Sequence, residues 1–410
     1  KVLNDAIDMF VPTVAVHTGK AGQRLRKYPS HIRVLFRRKH CLWKQMKRNV
    51  GDVFLSANYK QLVYECRKAV KEWECKKEAQ LIDSQNVGAF YKYVNRKLHN
   101  SNAWPVLSDS AGSPVFANQD KAELFNSYFS SVNVDDDGKL PNFPRRADTN
   151  VVLETIQFTP EKVYKVIRKL KPKVTCDPDG FSPFLVKQLV SALAGPLSLI
   201  FSSFFSVGRI PSAWKRAVIT PIYKKGVSSN PANYRPVSLT SVFGKAMERV
   251  VAADMLNYLL SNRLLTPSQH GFLAKRSTLT NLLESINDWS LSLDNRHLNR
   301  VVYIDFSRAF DSVSHSKLAH KLKSYGIDGN LLRWIENFLS ERLHCTRVGS
   351  VYSSFERIRS GVVQGSCLGL LLFPIFINDI TDCLSAGVSS KLYADDVKLY
   401  TELRCVTDVR

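Results

Sequence analysis

Eight cysteines occur in the 410-residue chain, yet no two form a Cys-x-x-Cys pair or a zinc-knuckle spacing. Structural zinc is thereby disfavoured, and free thiols in a reducing compartment are the simplest account. A Gly-x-x-x-x-Gly-Lys-Ser/Thr loop is missing too, which disfavours a P-loop motor. There is no secretory signal and no internal repeat. The least polar stretch, 189–208, is uncharged, but Gly195, Pro196 and five serines interrupt it. A buried helix pair fits that composition better than a membrane span. The triplet Asp135-Asp136-Asp137 lacks the alternating ligands and distal Glu of a calcium loop, so it reads as an exposed linker.

Acidic residues are few beside basic ones. With 58 Lys and Arg against 36 Asp and Glu, the net charge is +22, a balance suited to a polyanionic partner. Residues 1–100 hold 21 of the basic and only 8 of the acidic residues. Within 24–48, Ile32, Leu35, Phe36, Leu42, Trp43 and Met46 recur at helical spacing among Lys and Arg. This predicts a basic amphipathic helix or pair of helices, either a solvated face or a phosphate-contacting one. At 44% hydrophobic and 23% charged residues, the chain is ordinary globular material with room for two or three modules.

Two acidic clusters carry the chemistry. One is Tyr303-Ile304-Asp305-Phe306-Ser307-Arg308-Ala309-Phe310-Asp311, the other Leu392-Tyr393-Ala394-Asp395-Asp396-Val397-Lys398-Leu399-Tyr400. In each, carboxylates interrupt a strand-like apolar run where an unpaired charge is costly to bury. Divalent metal ions remove that cost, and carboxylates at two strand ends can hold two Mg²⁺ for phosphoryl transfer. Most Asp-Asp pairs are solvated turns; the apolar flanks and the second acidic strand set this one apart.

Around these clusters run further blocks in fixed order: Trp214 to Gly226, Asn233-Tyr234-Arg235-Pro236-Val237-Ser238-Leu239, Gln269-His270-Gly271-Phe272 with Arg276-Ser277-Thr278, Gly361-Val362-Val363-Gln364-Gly365-Ser366, and Leu371-Leu372-Phe373 with Ile377-Asn378-Asp379. In these blocks the chain resembles the reverse transcriptases of non-LTR (LINE-type) retrotransposons. A weaker likeness extends upstream through Cys176 to Gly180 and Ala122 to Phe129.

The resemblance implies an RNA-directed DNA polymerase that adds deoxynucleotides to a DNA primer 3′-hydroxyl on an RNA template, priming on nicked target DNA. It implies that Asp305 and Asp395 hold two Mg²⁺ ions (Mn²⁺ being possible), with Asp396 as an accessory ligand. Phe310 would lie under the nucleotide sugar and exclude a 2′-hydroxyl, the alternative being a plain core residue. Lys224, Lys225 and Arg235 would grip the triphosphate, and Gln364 would contact the incoming nucleotide and template. Val363 and Leu370 stand where family members usually carry Pro, which restores φ freedom and an N–H. Phe310 and Ala394 argue against an RNA-dependent RNA polymerase. The basic N-terminal quarter would meet template RNA or target DNA. An intracellular protein of nucleus and cytoplasm, with no membrane contact, is expected; oligomeric state stays open.

The expected fold is α+β, with right-hand polymerase fingers and palm and a helical basic N-terminal extension. The extension and linker span 1–144, fingers 145–300 and palm 301–410, with the reverse transcriptase domain over about 210–410. Lys1 opens the chain and 14 residues follow Asp396, so a piece of a longer polyprotein or a degraded copy is expected, with the thumb missing. The rival reading is a catalytically inactive remnant that only binds nucleic acid. Helices are predicted from Thr159-Pro160 to about Lys171, at 182–208 and 241–261, and through Leu318 to Tyr325 and Leu331 to Leu339. A ribbon strand is predicted at 216–224, two further strands at 343–348 and 355–358, and antiparallel pairing among them.

Overall fold

The basic N-terminal run becomes helix because its apolar residues return every three to four positions. In the computed structural model, which describes residues 28–49, 52–84 and 104–404 with the single positions Asp5, Met9, Asn86 and Tyr93, α1 spans Ser30–Arg48. Ile32, Leu35, Phe36, Leu42 and Met46 turn from solvent, while Arg33, Arg37, Arg38, Lys44, Lys47 and Arg48 stay exposed. Residues 24–27 of the predicted helix lie outside the described residues. Helix α2, Val53–Asp83, starts at Asp52, whose carboxylate accepts from the N–H groups of Phe54 and Leu55 at 2.9 and 3.0 Å. Such a cap satisfies donors that a helix start leaves orphaned. The two helices pack together, with Tyr28 edge-on to Phe36 and Trp73, both at 5.3 Å.

The chain divides into two compact units, 1–103 and 104–410. Residues 104–144, expected with the basic extension, therefore fold with the second unit, and the reason is aromatic packing. A small hairpin, β1 (Leu107–Ser108) with β2 (Pro114–Val115), leads into α3, Asn118–Ser131. Phe125 and Phe129 of α3 join Leu107 and Ala122 in one buried cluster with Ile219, Tyr234 and Val348. Asp135–Asp137 is exposed as expected but is not a free linker: Asp137 pairs with Lys317 at 2.8 Å, Asp135 with Arg359 at 3.0 Å, and Asp136 accepts from the Ser314 and Ser316 hydroxyls.

Thr159 caps α4 (Pro160–Arg168), accepting from the Lys162 N–H at 3.3 Å, and the helix ends short of Lys171. Helices α5 (Pro183–Gln188) and α6 (Val190–Ser206) fill the uncharged stretch. No helix among the described residues is long and apolar enough to cross a membrane. The predicted ribbon is β3 (Arg216–Tyr223) paired with β4 (Tyr234–Leu239), followed by α7 (Val242–Ser261) and α8 (Thr278–Asp294). Then come β5 (Leu298–Asp305), α9 (His315–Ser324), α10 (Gly329–Leu339) and β6 (Leu343–Val348), with short β7 (Val351–Tyr352) and β8 (Glu356–Arg357). Helix α11 (Gly369–Ile377) and the hairpin of β9 (Val388–Tyr393) and β10 (Asp396–Leu403) complete the described chain.

Two sheets organise the second unit. The larger runs β4-β3-β6-β7, with β8 also on β6; the smaller is antiparallel, β5-β10-β9. Pairing of β3 with β6 is parallel, a departure from the antiparallel pattern expected throughout. Parallel neighbours need a long crossover, and α7 to α10 lie within this one. Helices α8 and α11 and strand β7 were not anticipated. The seven cysteines within the described residues are free.

Phe125 is fully buried at the junction of α3 and the large sheet, with Tyr234 edge-on at 4.8 Å. Phe125→Ala is expected to cost about 3–5 kcal/mol, measurable by urea denaturation; a loss under about 1 kcal/mol, the range of ordinary substitutions, would place α3 outside the core.

Candidate active site

Register brings the acidic residues together. Asp396, first in β10, pairs with Asp305, last in β5, and on its other side with Tyr393 of β9. Ala394 and Asp395 are left as the hairpin turn, so all three carboxylates sit at one rim of the small sheet. At a strand end a carboxylate keeps access to water: Asp305 and Asp396 are exposed and Asp395 half-buried. Burial pushes the Asp395 carboxyl above its usual range, the charges of Asp396 and Asp305 push the same way, and the Lys224 ammonium opposes them. Such mutual repulsion among hard oxygen donors is what a bound Mg²⁺ relieves. Among the described residues no group of three His, Cys, Asp or Glu forms a metal cage by itself. Mg²⁺ does not require one, because it binds through one or two carboxylates and completes its shell with water and phosphate oxygens. The donor set fits.

A buried amide holds the turn. Ala394 has φ +60°, a left-handed conformation that L-residues adopt only at a cost. Gln269, 1% exposed, accepts from the Ala394 N–H at 3.0 Å and from the Gly271 N–H at 2.7 Å through one oxygen, and its nitrogen lies 3.5 Å from the Ala394 carbonyl. Its strand-like segment runs beside β9: the His270 N–H donates to the Leu392 carbonyl at 2.8 Å and the Leu392 N–H to the Ser268 carbonyl at 2.9 Å. A Cβ on Gly271 would lie 2.3 Å from the Ala394 nitrogen, so only glycine lets the segment approach. Ser277 and Thr280 form a reciprocal cap that starts α8 immediately afterwards. Arg276 donates back to the Gln269 carbonyl at 3.1 Å.

Phe310 is pinned between rings. Phe373 stacks on it at 4.2 Å and Phe272 meets it edge-on at 6.0 Å. One residue on, Asp311 accepts from the Gln364 side-chain nitrogen at 2.9 Å. Burial pushes the Asp311 carboxyl up, while Gln364 and Arg308 pull it down. Val363 is buried and Leu370 lies in the first turn of α11, where either Leu or Pro is accommodated.

Lys224, Lys225 and Arg235 are all exposed near the free end of the β3–β4 ribbon, which the Lys224 N–H extends by donating to the Asn233 carbonyl at 2.8 Å. Of the two lysines, Lys224 is the one whose charge is felt at Asp395. The structure thus brings Asp305, Asp395 and Asp396 to one rim and Phe310 and Gln364 to one hydrogen-bonded loop system, with Lys224 within electrostatic reach of the rim.

Three supporting residues had escaped assignment from sequence. Gln269 and Asp311 were noticed only as letters in motifs. Glu248 had a usable signal, a carboxylate set among the apolar residues Ala246, Met247, Val250 and Val251 of α7. Buried, it accepts from the Ser366 hydroxyl at 2.7 Å and from the N–H groups of Cys367 and Leu368 at 2.8 and 3.3 Å, fixing the segment that follows Gln364. Replacing Gln269 by Leu strands two buried N–H groups, and each orphaned donor costs about 1–3 kcal/mol. Gln269→Leu is expected to lower the unfolding free energy measured in urea by that order; an unchanged value would mean the turn holds itself.

Residues 222–408 match the family described as reverse transcriptase (RNA-dependent DNA polymerase). The RNA-directed DNA polymerase from mobile element jockey of Drosophila melanogaster is 31% identical over 255 residues, covering 60% of this chain and 28% of the relative. Its Drosophila funebris counterpart is 25% identical over 441 residues, covering 99% of this chain and 47% of the relative. The probable RNA-directed DNA polymerase from transposon BS of Drosophila melanogaster is 29% identical over 263 residues, covering 60% and 28%. The chain thus spans between about a quarter and a half of the length of these relatives. Residues 222–408 are similar to reverse transcriptase domains, and the relatives that share the likeness are RNA-directed DNA polymerases of mobile elements and transposons.

Proposed function

We propose that this chain is an RNA-directed DNA polymerase, extending a DNA primer on an RNA template with deoxynucleoside triphosphates. The observation that carries the reading is the register that sets Asp305 opposite Asp396 with Asp395 in the adjoining turn. Asp305 and Asp395 would hold Mg²⁺, with Asp396 beside them. Two bound ions supply charge neutralisation for the attacking 3′-oxygen and the departing pyrophosphate.

The chain's own groups do the rest. Lys224 and Arg235 offer cationic donors at the ribbon end for the triphosphate, Arg235 through a planar fork that matches phosphate oxygens; Lys225 is the neighbouring candidate. Phe310 closes the space beside the sugar, and its ring cannot swing aside easily because Phe373 and Phe272 flank it. Gln364 itself makes a backbone link to β4, the strand that carries Arg235: its carbonyl accepts from the Ser238 N–H at 3.0 Å. The exposed cations of α1 supply phosphate contacts to nucleic acid, an interaction that weakens with salt as counterions are released.

The test is primer extension on an RNA template with Mg²⁺ and deoxynucleotides. Asp395→Ala is expected to abolish extension while leaving duplex binding; extension by the variant at a near-normal rate would falsify the two-metal assignment. With Phe310→Val, ribonucleotide incorporation is expected to rise by at least about tenfold, because removing a steric clash restores the binding it blocked. Unchanged sugar discrimination in that variant would return Phe310 to the core.

A further inference from the structure

Ser360 is buried and commits both capacities of its hydroxyl to the backbone of two other segments. The hydroxyl accepts from the Val134 N–H at 2.8 Å and donates to the Asp311 carbonyl at 2.7 Å. That donation is one of several bonds fastening 360–362 to 310–315. The Val362 N–H donates to the Phe310 carbonyl at 2.8 Å and the Gly361 N–H to the Val313 carbonyl at 2.7 Å. His315 Nε2 lies 2.8 Å from the Gly361 carbonyl; a carbonyl can only accept, so that nitrogen carries the proton. Gly361 has φ +87°, and a Cβ there would stand 2.7 Å from the Asp311 Cα. Only glycine permits this approach. Two successive carbonyls, those of Phe310 and Asp311, are thus held by one neighbouring segment.

Behind Ser360 lies a stretch that precedes the family match at 222–408. Val134 reaches Ser360, and each of the next three residues takes a different hold. Asp135 pairs with Arg359 at 3.0 Å, Asp136 accepts from the Ser314 and Ser316 hydroxyls, and Asp137 pairs with Lys317 at 2.8 Å. Exposed ion pairs of this kind add little stability. What they do is span 359 and 314–317, the roots of the two segments that meet at Phe310.

We propose that Ser360 is a positioning residue for Phe310, braced by 134–137, and that it sets how sharply the ring excludes a 2′-hydroxyl. The inference rests on the polymerase reading and on Phe310 as the sugar-facing ring. Phe373 and Phe272 hold the flanks of that ring, and Ser360 holds the peptide that follows it. Without the hydroxyl, the Asp311 carbonyl loses this donor and the backbone beneath Phe310 is free to shift. Exclusion by clash is steep in distance, so a shift of a fraction of an ångström changes it. Ser360 acts through Phe310 and not on the nucleotide.

The readout is a ratio measured in primer extension by the full chain: kcat/KM for a deoxynucleoside triphosphate over that for its ribonucleotide. Misfolded protein lowers both members equally, so the ratio separates positioning from plain stability. Ser360→Ala is expected to lower it about fivefold, the worth of one hydrogen bond. Asp136→Ala, an exposed change that tests the idea even where the buried variant folds poorly, should lower it about twofold, the scale of a surface charged contact. In the Phe310→Val background, Ser360→Ala should change the ratio no further, because the ring through which it acts is gone.

If Phe310→Val relaxes the ratio while Ser360→Ala and Asp136→Ala leave it at the wild-type value, the Ser360 assignment is overturned and the gate reading stands. An effect of Ser360→Ala that persists in the Phe310→Val background overturns it equally. Loss of selectivity with Ser360→Ala alone removes the brace and keeps the positioning residue. If Phe310→Val itself leaves the ratio unchanged, the gate reading falls and this inference falls with it. Absence of extension by the wild-type chain overturns the polymerase reading and both assignments.

Discussion

Carboxylates crowded at one rim of a sheet repel one another, and the surrounding structure must hold them there before any cation arrives. The burden falls on a two-residue turn with Ala394 in a left-handed conformation. That backbone geometry is unfavourable for alanine, so it persists only because its polar groups are satisfied from outside. Gln269 does this from within the protein, where a hydrogen bond is stronger and a missing one more costly than in water. Asn378 supports the same element one step back. It donates to the Leu264 carbonyl at 3.0 Å and accepts from the Thr266 N–H at 2.8 Å, fixing the stretch that leads into Gln269. Asn378, in the block Ile377-Asn378-Asp379, thus supports the stretch that leads to the turn.

A second set of contacts ties the parts proposed to face the nucleotide into one piece. Gln364 links the β3–β4 ribbon through its backbone to the loop after β5 through its side chain. Glu248 then anchors the start of α11 to α7, and α11 supplies Phe373, the ring stacked on Phe310. A shift in any of these elements would be felt by the others, because each connection is a hydrogen bond at least partly shielded from water or a close ring contact. Preorganisation of this kind is what a reaction dominated by positioning and charge stabilisation requires.

Asp305, Asp395 and Asp396, which share one rim, stood out in the sequence because a charge inside an apolar strand run is locally anomalous. Helix α4 was readable for a similar reason, its Thr159-Pro160 start being a local signal. The partners that hold the site were not. Gln269 and Ala394 are 125 residues apart and Gln364 and Asp311 are 53 apart, and a buried amide has no signature until its partner is known. The parallel β3–β6 pair was missed because pairing direction depends on the crossover and not on the strands themselves. The division near residue 103 was missed because the acidic, proline-bearing stretch near 135–144 looks like a linker by composition, while ion pairs to Lys317 and Arg359 hold it to the second unit.

Helix α8 shows why register matters more here than stability. The side that it buries is polar: Asn281 donates to the Leu392 carbonyl at 3.2 Å and accepts from the Lys398 ammonium at 3.3 Å, and Asp288 accepts from the Tyr400 hydroxyl. Burial pushes the Lys398 ammonium below its usual range, so this contact is not an economical way to gain stability. It is an exacting one. A strand that slips by one residue turns every side chain to the opposite face, which would separate Asp396 from Asp305. An apolar helix face tolerates such a slip with modest repacking, whereas a buried lysine and a buried asparagine would lose their partners at once. Polar contacts beneath β9 and β10 therefore penalise every register except the one that places the carboxylates together.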